Sequence, residues 1–481
     1  MTPSTPQGRI DADAKCILLV IGYFAFQTLW RTVIGGALGL DEAEILVDAQ
    51  AFRLGYGPQL PLYAWMQKLV FAVTGETVFG LALLKNMLLC GVFLVTYRLL
   101  RTAFDVRDAA LATASLFLLP QIAWESQRAL THSVLVSLSC VLCFAIVWRL
   151  GRRPAGTGFV LFGLVLAVGG LSKYNFVVMP IAVILAAIGL APLRANLLKL
   201  PLAGSFLLAG VLLVAPYLWI VRNPELALAS SYKFGMTPED IANPLDGLAA
   251  VAGAIVNLLA LPFGIAAVLM LFFRRRDLPP APPLLLEVLM RRTMIAAVIA
   301  VAAGTMLAGA TEVKDRWLQP VLMLAVPALV LWMLPRLTDG GRRVLAGSCM
   351  AIAVVVPVAL PFNYLKSGAN VAGRFDATVP ALTGQSSGET VFFGSPYVVG
   401  NLLHVAPDRV ARKLVGRPTV PPEAPAALMW LGSDVSQGRE RLAAAFSDAE
   451  NWHLENHRVS EAPYRFGGGT FALSVARIVR D

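Results

Sequence analysis

Long apolar runs recur throughout the first three quarters of the chain. Hydrophobic residues make up 57% of the 481 residues and charged residues only 15%, whereas ordinary soluble domains carry about a quarter charged residues. Because about 20 mainly apolar residues cross a bilayer as a helix, the runs predict a polytopic membrane protein with about 11 spans. The predicted spans centre on 16–38, 77–97, 109–124, 131–148, 157–171, 175–191, 200–221, 247–273, 293–310, 317–335 and 344–362.

The distribution of Lys and Arg predicts how these spans are oriented. Basic clusters fall in alternate loops, and such loops face the cytoplasm in membrane proteins. The clusters include Arg98/Arg101/Arg107, Arg149/Arg152/Arg153, Arg194/Lys199, Arg291/Arg292 and Arg336/Arg342/Arg343. The other loops are acidic or mixed and are therefore predicted to lie outside, which in a bacterium is the periplasm. The net charge of +10 is explained by membrane orientation and does not indicate a nucleic-acid partner.

The composition changes at about residue 363. The segments "TVFFG" (390–394), "ALMWLG" (427–432) and "FALSVARIV" (471–479) are typical of strands, while "NLLHVA" and "RERLAAAF" are typical of helices. The sequence therefore predicts an all-α transmembrane domain over 1–362 and a small α/β domain over 363–481. An odd number of spans puts the second domain in the periplasm.

The first outer loop holds four acids, Asp41, Glu42, Glu44 and Asp48. Asp41 and Glu42 follow the first span directly, at the depth where membrane and water meet. Partial desolvation there raises the pKa of a carboxylate and makes it a better general base. Glu44 and Asp48 are four residues apart and fit one face of a short helix, as ordinary outer-loop acids. The apolar and aromatic segment that follows, with Tyr63, suits a helix lying in the interface.

Three further outer loops supply charged side chains. They contain Lys173, Lys314 and Arg316 as cations, and Glu125, Arg128 and His132 as a mixed group. These loops offer carboxylates for base or metal chemistry and cations for an anionic group, although a lone His near a membrane is usually structural. A Gly-rich phosphate loop is not found in the sequence, which argues against a nucleotide-sugar or ATP substrate.

Four segments in order resemble glycosyltransferase family 39 of the GT-C superfamily. They are "DEA" (41–43), "GYGPQLPLYAW" (55–65), "GLSKYNF" (170–176) and "KDRWLQP" (314–320). The resemblance covers roughly the first 340 residues and includes the protein O-mannosyltransferase-like, aminoarabinose transferase-like and rhizobial galacturonosyl transferase-like enzymes. It implies a GT-C fold with interfacial helices in the first outer loop.

The resemblance also implies an activity. Relatives transfer a sugar from a polyprenyl phosphate in the membrane to an envelope acceptor, which is lipid A, another glycan or a protein, on the periplasmic side of the inner membrane. Asp41 matches the catalytic acid, with Glu42 as the alternative, and direct displacement would invert the anomeric centre. Lys314 and Arg316, with Lys173, would bind the donor phosphate.

The matching segments leave several points open. Tyr56 and Tyr174 lie within them and are further candidates for the site. Where relatives carry a second-loop Asp, this chain has Thr131-His132-Ser133, so metal use stays open, with Asp41, Glu125 and His132 as the candidate ligands. Two other functions also remain: a transporter or flippase of lipid-linked sugars, and a glycan ligase that uses a diphosphate-linked donor.

Overall fold

The computed structural model of the chain describes residues 6–235, 244–275, 282–384, 386, 388–414, 425–445 and 451–480. Its internal contacts group the chain into two units. The helical unit consists of Met1–Phe26, Lys85–Tyr217 and Ser231–Val356, and the mixed unit consists of Gln27–Leu84, Leu218–Ser230 and Pro357–Asp481. The predicted domain boundary at residue 362 stays a prediction.

Helices form most of the described chain. In the first half they are α1 (Pro6–Ile34), α2 (Leu40–Asp48), α3 (Leu62–Thr74), α4 (Val78–Leu100), α5 (Val106–Ala114), α6 (Ser126–Arg128), α7 (His132–Arg152), α8 (Gly156–Gly170), α9 (Val178–Ile188), α10 (Ala191–Leu197) and α11 (Leu200–Arg222). The later helices are α12 (Pro224–Ala227), α13 (Pro244–Phe272), α14 (Leu285–Ala308), α15 (Asp315–Leu322), α16 (Ala325–Met333), α17 (Asp339–Leu365), α18 (Phe375–Thr383), α19 (Pro396–Val405) and α20 (Val435–Ala445).

Six helices in the described chain are long and apolar enough to cross a membrane. They are Asp11–Ile34, Val78–Leu100, His132–Arg152, Leu200–Arg222, Leu245–Phe272 and Asp339–Leu365. The number rises to eight if two bent pairs are each one span: Tyr174–Ile188 with Ala191–Leu197, bent by 117°, and Asp315–Leu322 with Ala325–Arg336, bent by 57°. The multi-pass membrane class is thus supported, but the predicted count of eleven spans is not confirmed.

Local chemistry explains the lower count. The third predicted span breaks at Leu119, because the proline that follows forces this residue into an extended conformation, with ψ of 111°. A π-helical turn over Gln121–Glu125 follows the break. The helix Gly156–Gly170 is apolar but short. The helix Leu285–Ala308 begins with charged residues, Arg291 and Arg292 among them.

Helix α7 lies at the centre of the helical unit. It contacts α8, α9, α10 and α15, while α14 packs along α9. In its membrane-length window 72% of the residues are buried, far more than the 17% of α11. Buried polar side chains on α7 therefore face protein rather than lipid, which makes them candidates for the functional site.

A five-stranded sheet forms the end of the mixed unit. Its strands are β1 (Val391–Gly394), β2 (Val410–Lys413), β3 (Ala426–Leu431), β4 (Trp452–Pro463) and β5 (Thr470–Arg480), in the spatial order β2-β1-β3-β5-β4. Strand β1 pairs in parallel with β2 and β3, while β5 pairs antiparallel with β3 and β4. The predicted α/β character of this region is confirmed.

Alternate residues of the strands face opposite sides of the sheet. Phe393 and Trp430 pack on one side with Leu442 of α20. Phe471 faces the other side, where its ring centroid lies 4.9 Å from that of Phe375 in α18. Strand β4 was not predicted because it is an edge strand with mostly polar residues, which lack the apolar alternation of β3 and β5.

Candidate active site

The predicted site residues divide between the two units. Asp41, Glu42 and Tyr56 belong to the mixed unit, and all the others belong to the helical unit. Helix α2 carries the acids of the first outer loop and α3 follows it, so the two short helices expected in this loop are present.

Glu42 is committed to a buried ion pair. The Arg31 guanidinium donates two hydrogen bonds to its carboxylate, Nε to Oε1 at 3.2 Å and Nη2 to Oε2 at 2.8 Å. The two side chains are only 2% and 1% exposed. Oε2 also accepts a hydrogen bond from the backbone N–H of Gly39, which caps the start of α2. These contacts give Glu42 a structural role in holding α2 against the end of α1.

Asp41 lies one residue earlier, in the first turn of α2, and is half-buried. The amino end of a helix favours a negative charge there. Tyr63 is fully buried, and this burial raises the pKa of its phenol. The charges of Glu42 and Asp41 raise that pKa further. Burial and the two nearby carboxylates thus favour the protonated form of the Tyr63 phenol.

Glu44 and Asp48 share one lysine from the C-terminal sheet. Lys413 Nζ lies 3.2 Å from Glu44 Oε1 and 2.6 Å from Asp48 Oδ1, and it also donates to the carbonyl of Tyr56 at 3.2 Å. Burial, opposed by Lys413 and helped by Glu44, raises the pKa of Asp48 to about 7. Burial alone would lower the pKa of Lys413, but the two carboxylates raise it. The acids are on one helix face, as their spacing predicts, and they act as an anchor for α2.

Helix α19 packs closely against α2. A Cβ atom on Gly400 would come within 2.2 Å of the carbonyl oxygen of Ala43, so only glycine fits there. The neighbouring Asn401 side chain accepts a hydrogen bond from the N–H of Leu38 at 2.7 Å and donates to its carbonyl at 3.2 Å. Sequence reasoning missed Lys413 and Asn401, because nothing local indicates a partner more than 350 residues away.

Tyr56 stabilises the loop after α2. Its hydroxyl donates to the carbonyl of Ala51 at 2.5 Å and accepts from the N–H of Arg53 at 3.0 Å. Gly55 must be glycine, because a Cβ there would lie 2.1 Å from the Trp219 ring. The segment that matches the family motif is thus a rigid turn, and the Tyr56 hydroxyl is used in building it.

The helical unit brings three predicted outer loops together. Lys173 Nζ donates to Ser133 Oγ on α7 at 2.8 Å. The Asn175 amide donates to the carbonyl of Trp317 at 2.7 Å. The Gln121 amide donates to Asp315 Oδ2 at 2.7 Å. Hydrogen bonds therefore join the loops near 121–133, 173–175 and 314–317 into one polar cluster.

Lys314 and Arg316 are the two cationic residues of the loop near 314–317. Lys314 lies just before α15 and its Nζ is 6.0 Å from the centroid of the Trp317 ring. Arg316 is exposed, and only its backbone N–H is bonded, to Asp315. Within the described part of the chain, neither cationic group forms an ion pair or a side-chain hydrogen bond. Both are available to an anion.

Glu125, Arg128 and His132 are also among the predicted site residues. Glu125 and Arg128 form a partly exposed ion pair at 2.8 Å, one helical turn apart. His132 is buried at the start of α7, with 5% of its surface exposed. Lys85, inside the predicted second span, donates to the carbonyl of Gln127 at 3.0 Å.

The candidate metal ligands Asp41, Glu125 and His132 stay a prediction. No group of three or more His, Cys, Asp or Glu side chains in the described residues is arranged to hold a metal ion. Hard divalent ions require several oxygen ligands, and the Glu125 carboxylate is already paired with Arg128.

An apolar groove of about 520 Å³ begins at Lys173. Helices α8, α9 and α11 form its walls, with Leu166, Ile181 and Phe206 among the lining side chains. Tyr174 lies at the same end as Lys173, where it is 42% exposed. The groove thus combines a long apolar wall with one cationic end.

Comparison with known proteins identifies the family. Residues 57–220 match a family model described as dolichyl-phosphate-mannose-protein mannosyltransferase. The chain is also 30% identical, over 95% of its length and 96% of the relative, to the lipopolysaccharide core galacturonosyltransferase RgtA of Rhizobium johnstonii. The chain belongs to glycosyltransferase family 39 of the GT-C superfamily. It is a membrane glycosyltransferase, and the transporter or flippase alternative gains no support.

Other similarities agree with the family 39 assignment. The transferase is 31% identical to the lipopolysaccharide core galacturonosyltransferase RgtB of Rhizobium johnstonii, over 64% of this chain and 62% of RgtB. Its fold is similar to ArnT from Cupriavidus metallidurans bound to undecaprenyl phosphate, with a TM-score of 0.62, 14% identity and 98% coverage of both chains. The apo ArnT structure gives a TM-score of 0.60 and 14% identity, over 95% of this chain and 97% of ArnT.

Proposed function

We propose that this transferase moves a galacturonosyl residue from a polyprenyl-phosphate donor to a lipopolysaccharide core acceptor, at the periplasmic face of the inner membrane. The similarity to RgtA along 95% of the chain supports the sugar and the acceptor. The fold similarity to ArnT, a protein solved with undecaprenyl phosphate, supports the donor class. The alternation of basic and acidic loops supports the periplasmic orientation.

The apolar groove with Lys173 at one end is the observation that carries the donor assignment. A polyprenyl phosphate is a long hydrocarbon chain that ends in an anion, and the groove matches both parts. Lys173 is positioned by its hydrogen bond to Ser133, so its ammonium group would meet the phosphate at the mouth of the groove. A nucleotide sugar has no hydrocarbon chain that would fill an apolar groove.

Lys314 and Arg316 would complete the phosphate site. When the glycosidic bond breaks, the leaving polyprenyl phosphate gains negative charge, and cations already in position stabilise that charge in the transition state. Arg316 can make two parallel hydrogen bonds to a phosphate, while Lys314 acts as a point charge. Their lack of other ionic partners in the described residues favours this role.

Asp41 would act as the general base. Its carboxylate takes the proton of the acceptor hydroxyl, whose oxygen forms a bond to the anomeric carbon of the sugar. The bond between that carbon and the phosphate oxygen breaks at the same time, and its electron pair leaves with the polyprenyl phosphate. One displacement of this kind inverts the anomeric configuration.

Asp41 is favoured over Glu42 as the base. The Glu42 carboxylate is buried and held by Arg31 and by the N–H of Gly39. Protonation of a carboxylate in such a pair would leave a buried guanidinium uncompensated, which is costly. Asp41 is half-buried and lies beside Glu42 on the first turn of the same helix.

A donor-class assay tests this function. The purified protein in lipid nanodiscs receives radiolabelled polyprenyl-phosphate galacturonate and a lipopolysaccharide core lacking terminal galacturonate. We expect labelled core to form without an ion gradient, and Lys173→Met to abolish most transfer while the exposed Lys199→Met does not. Transfer from a diphosphate-linked oligosaccharide alone would instead favour the glycan ligase alternative. Mass spectrometry of envelope glycolipids from a deletion strain identifies the missing sugar.

A further inference from the structure

A cavity of about 620 Å³ lies at the end of the C-terminal sheet where β3 begins and β5 approaches its end. Its volume falls within the roughly 300–1,000 Å³ that small-molecule sites occupy. It is lined by residues of the mixed unit alone, none of them in α2. None of the residues that line it has a role in the chemical step proposed above.

The lining of this cavity is cationic and polar. Arg458, Arg477 and His457 contribute basic groups, while Asn456, Ser386 and Thr390 contribute an amide and two hydroxyls. No carboxylate occurs among the described residues that line it. A cavity with this lining favours an anion that also carries hydroxyl groups.

A β-bulge shapes one wall of the cavity. The pairing of β4 with β5 shifts register between Glu455 and Arg458. Within the bulge Asn456 has a φ of 52°, and it is the only non-glycine residue with positive φ in the described chain. Left-handed backbone at a non-glycine residue is unfavourable and is concentrated at functional sites, where bulges redirect side chains.

Contacts with neighbouring residues hold the side chains of His457 and Arg458 in place at the bulge. The His457 ring stacks on Trp430, with centroids 5.2 Å apart and planes 14° apart, and its Nε2 lies 3.2 Å from Ser474 Oγ. Arg458 Nη2 donates to the carbonyl of Leu382 at 2.9 Å. Arg477, on β5, is exposed and makes no hydrogen bond or ion pair with another described side chain. The wall is thus rigid, with one arginine available.

We infer that this cavity binds an oxyanion-bearing sugar of the acceptor glycan, through a carboxylate or phosphate group held by Arg477 and Arg458. The inference rests on the proposed function, because it takes the ligand of the cavity to be part of the glycan acceptor. Guanidinium groups bind carboxylates and phosphates in a two-point geometry. The amide of Asn456 and the two hydroxyls match the donors and acceptors of a sugar ring.

Binding by the full-length protein in nanodiscs tests the inference without requiring turnover. Isothermal titration would compare digalacturonate, galactose 6-phosphate and neutral galactobiose, in the absence of donor lipid. We expect one or both anionic sugars to bind and the neutral one to bind at least tenfold more weakly. The comparison of the two anionic sugars identifies which oxyanion the cavity selects. Equal binding of the neutral sugar, or no binding of either anionic sugar at millimolar concentration, would overturn the inference.

Substitutions assign the binding to this cavity. Arg477→Gln should weaken binding of the anionic sugar about tenfold, because a charged hydrogen bond is lost. The fold should be unaffected, since this arginine is exposed and has no other partner among the described side chains. Arg458→Lys is a second variant that keeps the charge but loses the two-point contact. The matched control is Arg439→Gln, an exposed arginine on α20 outside the cavity. If Arg477→Gln and Arg439→Gln bind the sugar equally well, the cavity is not the site.

The same variants separate this inference from the proposed function. In the transfer assay Arg477→Gln should raise the KM for the acceptor several-fold and leave the KM for the donor lipid unchanged. Normal transfer with unchanged acceptor KM in Arg477→Gln would refute the cavity and preserve the function. Sugar binding that depends on Arg477, in a protein without transferase activity, would preserve the cavity and refute the function.

Discussion

Lys413 Nζ lies 2.6 Å from Asp48 Oδ1, although the two residues are 365 positions apart. The lysine belongs to β2 of the C-terminal sheet and the aspartate to α2, the helix that carries Asp41. Both side chains are nearly inaccessible, at 12% and 2% exposed. The last part of the chain therefore helps to hold the proposed base in position.

The first prediction concerns the pH dependence of stability. In the fold the pKa of Asp48 is raised to about 7 from an ordinary value near 3.8. Between these values the folded state keeps a proton that the unfolded chain releases. The stability contributed by Asp48 is therefore complete below about pH 4 and is lost as the pH rises through 7. The wild type should lose stability relative to Asp48→Asn over this window, in thermal unfolding scans across pH.

The variant Lys413→Met tests the same pH dependence of thermal stability in a second way. Without the ammonium group, which opposes the burial effect, the pKa of Asp48 should rise further and the loss of stability should move to higher pH. Lys366→Met, at an exposed lysine of the same unit, is the control. A difference between wild type and Asp48→Asn that does not change with pH would contradict the assignment.

The second prediction concerns the contact of α19 with α2. Gly400→Ala adds a methyl group at a point 2.2 Å from the carbonyl oxygen of Ala43, so one helix must shift. We expect a loss of stability of about 1–3 kcal/mol and a lower kcat, because the shift also moves Asp41. Gly468→Ala is the matched control, since open space surrounds its added Cβ. Equal melting temperatures for the two variants would argue against tight packing here.

The third prediction is that Glu42 contributes mainly to stability. Glu42→Gln leaves the buried Arg31 guanidinium without its counter-ion, and breaking such a pair costs about 3–5 kcal/mol. The melting temperature should fall sharply, whereas Glu225→Gln, at an exposed acid of the same unit, should leave it unchanged. The double variant Arg31→Met/Glu42→Met should recover much of the loss. If Glu42→Gln abolishes turnover without lowering stability, Glu42 is the better candidate for the base.

The fourth prediction concerns Asp41 itself. Asp41→Asn keeps the shape of the side chain and removes its basicity. Turnover should fall by about two to four orders of magnitude, with donor-lipid binding nearly intact and a stability change below about 1 kcal/mol. Single-turnover kinetics and a donor-binding assay measure the two effects separately. Near-normal turnover in a folded Asp41→Asn protein would exclude Asp41 from the chemistry.

The fifth prediction assigns Arg316 to the donor phosphate. Arg316→Ala should raise the KM for the donor lipid about 10- to 100-fold, because hydrogen bonds between charged groups contribute about 1.5–3 kcal/mol. Arg316→Lys should recover only part of this loss, since lysine cannot make two parallel contacts. Arg153→Ala, at an exposed arginine in a predicted cytoplasmic loop, is the control. A change confined to the acceptor KM would refute the assignment.

Much of the helical unit could be predicted from the sequence. The apolar runs indicate most of the helices, and the gap between the predicted spans 157–171 and 175–191 matches the break between α8 and α9. The distribution of Lys and Arg predicts which loops share one side of the membrane, and this orientation stays a prediction. Hydrogen bonds join the loops that contain Gln121, Lys173 and Trp317, three loops that the sequence predicts to lie on one side.

Other features depend on long-range contacts that a single sequence does not reveal. Lys413 looks like an ordinary surface lysine on a short strand, yet it neutralises two acids of the first outer loop. Asn401 resembles any polar residue in a helix, yet its amide bonds both backbone groups of Leu38. The choice between Asp41 and Glu42 depends on Arg31, whose partner cannot be identified from spacing alone.

The contact between Leu38 and Asn401 also affects the order of events during biosynthesis. Ribosomes add about 5–20 residues per second, so the 363 positions between these residues take roughly 20–70 seconds to synthesise. Throughout that time the first helices can enter the bilayer, but α2 lacks the amide and the lysine that hold it. A translation product interrupted before Lys413 would therefore be inserted without a properly held α2. The helix that carries the proposed base is thus held in place only late in synthesis, after Lys413 has been added.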